Sequence, residues 1–109
     1  MDIESKLQEI DGEVKNTPAI LYMKGSKDFP MCGFSGQVVN ILNHIGAEYE
    51  TRDVLQDQAL RQAIKVYGNW PTIPQLYVKG KLVGGCDIIT ELHESGELQS
   101  IIDSAPTSE

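Results

Sequence analysis

The sequence predicts an α/β domain with a mixed four-stranded sheet and helices on both faces. Three observations carry this reading. Helical and strand-like hydrophobic periods alternate in the order α-β-α-β-α-β-β-α-α. The first strand, "AILYM", is a continuous apolar run, which suits a strand covered on both faces. Later, "QLYV" and "KLVG" flank Lys79-Gly80 and read as an antiparallel hairpin. A strand–helix–strand start followed by a hairpin gives a sheet of mixed direction.

Each element has its own signal. Ile3, Leu7, Ile10 and Val14 recur at helical spacing, with Asp2 as a candidate N-cap. Pro18 precedes "AILYM", and the polar loop "KGSKDFPM" then leads to Cys32. From Gly33 the period is helical again: Phe34, Val38, Ile41, Leu42 and Ile45 share a face, and Gly46 ends it. "EYETRDV" reads as the second strand. Asp57 caps a helix running to about Tyr67, with Gly68 after it. Beyond the hairpin, Asp87 caps "IITELHES", Gly96 punctuates, and "ELQSIID" is a last helical stretch. The chain contains no internal repeat and no low-complexity segment.

Composition narrows the function classes. A chain of 109 residues fits one domain, with a core over about 7–102 and a flexible tail at 103–109 that includes "SAPTSE". The formal net charge of −7 argues against nucleic acid, which requires clustered Lys and Arg. No apolar run is long enough to span a membrane. The amphipathic acidic start reads as a helix of the fold and not as a targeting peptide. With only Cys32 and Cys86, a disulfide framework is not expected, and a reducing, cytoplasmic setting is. His44 and His93 lie far apart in the chain and read as helix-surface residues, not as a metal site.

The chemistry centres on "PMCGFSG". A redox Cys-x-x-Cys motif has a second thiol that attacks the mixed disulfide made by the first. Here that position is Ser35, which cannot do so. Cys32 sits just before a helix, whose N-terminal N–H groups and partial positive charge favour thiolate. Gly33 leaves the approach to the sulfur open, and Lys24 across the loop adds positive charge. The competing reading is a small buried core cysteine. Strand–loop–Cys–helix is instead the arrangement that makes a reactive thiol.

"KGSKDFPMCGFS", "NWPTIPQLYVKGKLVGGCD" and the order of elements together resemble the single-domain monothiol glutaredoxins of the Cys-Gly-Phe-Ser class. The resemblance runs from about Leu7 to Ile102, and the spacing of Trp-Pro-Thr-x-Pro and Gly-Gly-Cys-Asp makes it specific. One departure is Lys27, where the family usually has proline, which bears on the rigidity of the loop. The resemblance implies a thioredoxin-like fold that binds glutathione. It also implies a [2Fe–2S] cluster shared by a homodimer, with Cys32 and a bound glutathione from each protomer as ligands. A second cysteine at position 35 could oxidise with Cys32 and remove a ligand, whereas Ser35 leaves a persistent thiolate.

The same resemblance implies roles for other positions. Lys24 and Arg61 would pair with the glycine carboxylate of glutathione, their alternative being solvated surface charge. Ile73, before a cis Pro74, would offer its backbone to an extended peptide, with Thr72 flanking. Gly84 and Gly85 would permit close backbone approach. Asp87 and the Cys86 backbone, at a helix N-terminus, would take the γ-glutamyl end. Trp70 either lines the site or packs beside it, and Phe34 either joins the helix face or lies near the dimer contact. Cys86 has three readings: a resolving thiol, a cluster ligand, or an inert thiol; in the family it is not the cluster ligand. The functions implied are cluster delivery and iron homeostasis, with a BolA-like protein, scaffolds and iron–sulfur clients as partners. The alternative is a glutathione-dependent disulfide reductase, because free glutathione can resolve a mixed disulfide without a second protein thiol.

Overall fold

The computed structural model describes residues 3–103. Of the tail expected at 103–109, Asp103 is the last residue of a helix, and 104–109, like Asp2, fall outside the described residues. The elements are α1 (Ile3–Asn16), β1 (Ala19–Met23), α2 (Gly33–His44), β2 (Glu50–Asp53), α3 (Gln58–Tyr67), β3 (Gln75–Val78), β4 (Lys81–Gly84), α4 (Cys86–Ser95) and α5 (Glu97–Asp103). A single 3-10 turn, Val54–Gln56, joins β2 to α3. The sheet order is β2-β1-β3-β4, with β1 parallel to β2 and antiparallel to β3, and β3 antiparallel to β4.

The apolar run of β1 now has a physical reason. Successive side chains of a strand point to opposite faces. Ile20 and Tyr22 enter a core with Ile10 and Val14 of α1, and with Leu60, Ala63 and Ile64 of α3. Ala19, Leu21 and Met23 enter a second core with Val38, Ile41 and Leu42 of α2, Ile89 of α4, and Leu98 and Ile102 of α5. Both faces are covered, so every residue of β1 is buried, and the Tyr22 hydroxyl reaches Glu13 Oε1 at 2.9 Å. The hairpin turn forms where expected, with Lys79 and Gly80 both at positive φ, 55° and 79°. That pair of angles matches the twist of the flanking strands.

Four local expectations are corrected. Ile3 is exposed, whereas Lys6 is buried. The Lys6 ammonium donates to Asp57 Oδ2 at 2.8 Å, which lets its aliphatic stem pack between α1 and α3. β2 begins at Glu50, not at residue 48, because Tyr49 turns into the core beside α2. α2 ends at His44 with Ile45 as its C-cap, so Gly46 follows the cap. Asp87 is not the cap of α4: Gly85 is, its carbonyl accepting from the Ile89 amide at 2.9 Å. The Asp87 carboxylate lies instead in the first helical turn, where the helix dipole favours negative charge. Asp57 does cap α3, accepting from the Leu60 amide at 3.1 Å.

Candidate active site

The loop between β1 and α2 presents Cys32. Its base is fixed by three bonds. Lys24 N–H donates to Ser35 Oγ at 3.1 Å, Gly25 N–H to Asp53 Oδ1 at 2.9 Å, and Met31 N–H to the Lys24 carbonyl at 2.8 Å. Gly25, at φ 92°, allows the two loop arms to meet. A Cβ there would lie 2.6 Å from the Met31 nitrogen and strike the Phe29 carbonyl. Phe29, Met31 and Phe34 project into solvent around the cysteine. Phe34 therefore departs from the apolar helix face expected for it: it lies at the cleft mouth, 62% exposed.

Cys32 is the residue before α2, and its carbonyl accepts the Gly36 amide at 2.9 Å. Its sulfur makes no full capping bond but faces the first turn. Partial burial favours the neutral thiol. The Ser35 and Phe34 N–H groups, the Lys24 ammonium and the Ser35 hydroxyl outweigh it, and the thiol is held below the ordinary cysteine value. Ser35 is fully buried, so the fourth motif position is an internal brace as well as the place of an absent thiol.

A cleft of about 370 Å³ opens beside the sulfur. One wall is Trp70 to Pro74 and the other is Gly85 to Ile88, with Lys24, Phe34 and Lys65 at the rim. Thr72, Ile73, Pro74, Gly85, Cys86 and Asp87 are all brought together here with Cys32 and Lys24. The Ile73–Pro74 bond is cis. Gly85 is needed for the fit, since a Cβ would come within 3.0 Å of Trp70 Nε1 and 3.2 Å of the Pro74 carbonyl. Trp70 lines the cleft, and among the described residues its buried indole N–H has no hydrogen-bond partner. At Gly33 a Cβ would meet nothing within 4 Å, so this side of the sulfur is open, although Gly33 does not line the cleft. Gly84 packs its backbone against Ile88.

Arg61 does not line the cleft; Lys65, one helical turn further along α3, does. The reading of the sequence missed Lys65, Pro71 and Ile88. For Lys65 the signal was available, since residues four apart share a helix face. It also missed Gln75, which is fully buried and builds the cleft wall from behind. Its Nε2 donates to the Trp70 and Thr72 carbonyls, each at 3.1 Å, and its Oε1 accepts from the Tyr77 hydroxyl at 2.7 Å. A polar residue opening an otherwise apolar strand, "QLYV", was its trace in the sequence.

Cys86 behaves differently from Cys32. Burial pushes its thiol up. A hydrogen bond with the Thr90 side chain opposes this, and the charges of Asp87 and Cys32 add to the rise. It also packs against the core. His44 and His93 lie on helix surfaces, as expected, and although far apart in the chain their rings meet edge to face at 5.7 Å, between α2 and α4. Among the described residues, no three metal-ligating side chains come together.

The comparisons with known proteins agree with this geometry. The family model described as glutaredoxin matches residues 19–83. A protein of Synechocystis named as an uncharacterized monothiol glutaredoxin, ycf64-like, is 51% identical over 108 residues, covering 99% of this chain and 100% of that one. Glutaredoxin 3 of Danio rerio is 48% identical over 94% of this chain, which spans only 30% of that longer protein. Among solved structures, reduced apo GrxS14 of poplar has a TM-score of 0.78 at 47% identity, covering 90% of each chain. A buckwheat glutaredoxin–glutathione complex has a TM-score of 0.84 at 25% identity, covering 94% of this chain and 92% of that one. The fold is the thioredoxin-like fold of these proteins. With one low-lying thiol, a serine in place of its partner and matches of this extent, the chain belongs to the glutaredoxin family, among its monothiol members.

Proposed function

We propose that this protein binds glutathione in the Cys32 cleft and carries a [2Fe–2S] cluster as cargo, shared between two copies of the chain. The observation that carries this reading is the donor set. Such clusters are held by four thiolate-type ligands. Among the described residues the cleft offers two thiols, and only Cys32 is lowered, by the N–H groups that open α2 and by Lys24, while burial pushes Cys86 up. The remaining ligands must come from outside the chain. Glutathione supplies one thiol per protomer, and a second copy doubles the set.

The cleft suits glutathione chemically. Lys24 and Lys65 place two cations at its rim for carboxylates. The Thr72–Ile73 segment offers backbone groups to a peptide. The first turn of α4 offers N–H groups to the γ-glutamyl carboxylate, with the Asp87 side chain for its ammonium. Cys32 holds the metal-facing position and Ser35 keeps that thiolate from internal oxidation. A reducing, cytosol-like compartment, a BolA-like partner, and scaffold and client proteins complete the proposal.

Anaerobic reconstitution with iron and sulfide, with and without glutathione, tests it. A brown protein is expected only with glutathione. Lys24→Gln should weaken glutathione by about 1.5–3 kcal/mol, the range for a hydrogen bond to a charged group, and lose colour in parallel. Colourless protein with rapid disulfide turnover would favour the glutathione-dependent reductase instead. Unchanged affinity by calorimetry would return Lys24 to a solvated surface charge.

A further inference from the structure

We propose that Lys27 is a positioning residue, tying the Cys32 loop to the connection between α2 and β2. Lys27 stands at the second position of a tight turn. Ser26 N–H donates to the Phe29 carbonyl and Phe29 N–H to the Ser26 carbonyl, both at 3.2 Å. The Ser26 hydroxyl also accepts from Phe29 N–H at 3.1 Å. At this turn position proline would preset φ and stiffen the turn locally. Lysine cannot do that. Its side chain instead reaches out of the loop, and Nζ donates to the Tyr49 carbonyl at 2.7 Å. The same ammonium lies 4.1 Å from the centre of the Tyr49 ring. One cation thus makes two contacts on one residue, a charged hydrogen bond and a cation–π contact.

The anchor itself is rigid. Tyr49 is 7% exposed, and its hydroxyl donates to Asn43 Oδ1 at 2.9 Å, in the last turn of α2. The loop is therefore held at two places that do not overlap. Its base is held by Ser35, by Asp53 and by the Met31–Lys24 backbone bond, and its tip by Tyr49. Between them lie Phe29, Pro30 and Met31, which lead directly into Cys32. A turn free at its tip could swing about the base bonds, moving Phe29 and Pro30 and pulling on the Met31 anchor that leads into Cys32. The Lys27 contact removes that motion by a tertiary tether in place of a local dihedral constraint. This takes from the proposed function only that Cys32 is the working group.

The test needs neither glutathione nor a cluster. Amide exchange and amide resonances are measured in the full chain for Lys27→Gln and Lys27→Arg. Lys27→Gln should exchange about fivefold faster at the Phe29 and Met31 amides, the loss expected for an exposed charged contact plus an exposed cation–π contact. The Met31 and Cys32 amide resonances should move, while α5 amides keep their exchange rates. Lys27→Arg, which retains a donor and a cation for the ring, should restore the parent values. If Lys27→Gln matched the parent, Lys27 would be a solvated surface cation and the tether would be refuted. If Lys27→Arg failed to restore the loop, or every amide accelerated together, the effect would not be positioning and the inference would also fall. These readouts stay informative even if the protein carries no cluster.

Discussion

Cys32→Ser is expected to abolish cluster loading and mixed-disulfide formation with glutathione, while Cys86→Ser keeps most of both. A serine hydroxyl at position 32 cannot supply a thiolate, and the other thiol lining the cleft, Cys86, is pushed up by burial. The two sulfurs share one cavity, yet their surroundings act in opposite directions. Cys32 faces the N–H groups that open α2 and the Lys24 ammonium, and its thiol is lowered; Cys86 is raised by burial and by the Asp87 and Cys32 charges. The sign sets the pH behaviour. As pH rises, Cys32 loses its proton before Cys86, and ligand capacity is lost as pH falls through the Cys32 midpoint. Iodoacetamide labelling followed by peptide mapping should therefore modify Cys32 at lower pH than Cys86. Equal cluster loss in the two serine variants would make Cys86 a ligand and overturn the assignment.

Gln75→Leu is expected to lower stability by about 2–4 kcal/mol and to loosen the cleft wall. The substitution is close in volume, so the main loss is not a cavity. It strands two carbonyls, Trp70 and Thr72, and the Tyr77 hydroxyl, all of which Gln75 now satisfies. A buried polar group left unpaired costs about 1–3 kcal/mol, and partial access to water at the 70–72 segment reduces the sum. For a domain of this size that is a fall of roughly 10–20 °C in Tm. Trp70 is the only tryptophan, so its fluorescence reports the wall directly. Denaturant unfolding gives the stability change. A loss under about 0.5 kcal/mol, the range of ordinary surface changes, would show that water replaces Gln75 without cost.

What the sequence made legible and what it did not divide along a physical line. Features set by one segment were readable. The unbroken apolar β1 follows from a sheet covered on both faces, the Lys79-Gly80 turn follows from its φ demands, and Asp57 follows from the unpaired amides of α3. Cys32 was readable because strand, loop, cysteine and helix start are consecutive. Features that depend on a partner far along the chain were not. Lys6 looks like a surface lysine until Asp57 is placed beside it. Gln75 looks like a strand-opening polar residue until the 70–72 carbonyls fold back over it. Lys27 looked like a loss of loop stiffness, and Tyr49 was assigned to a strand, until the two met. The surface placement of His44 and His93 was legible, but not their ring contact, because chain distance says nothing of the packing of α2 on α4. Helical spacing put Lys65 on the face of Arg61, but that Lys65 lines the cleft and Arg61 does not depends on how far α3 runs along it.

The central claim is that the cargo, not a protein surface, holds two copies together. On the proposed function one chain would contribute the Cys32 sulfur, whose thiol is lowered, and its glutathione a second, so two such units would complete the set. With a net charge of −7 on each copy, approach of two chains is disfavoured at low salt. Sedimentation velocity of the metal-free protein and of the glutathione-reconstituted protein, at the same micromolar concentration, tests this most directly. The account predicts a colourless monomer and a coloured dimer, with the dimer returning to monomer when iron is chelated or glutathione is dialysed away. A stable dimer of the metal-free protein, or a coloured monomer, would contradict it.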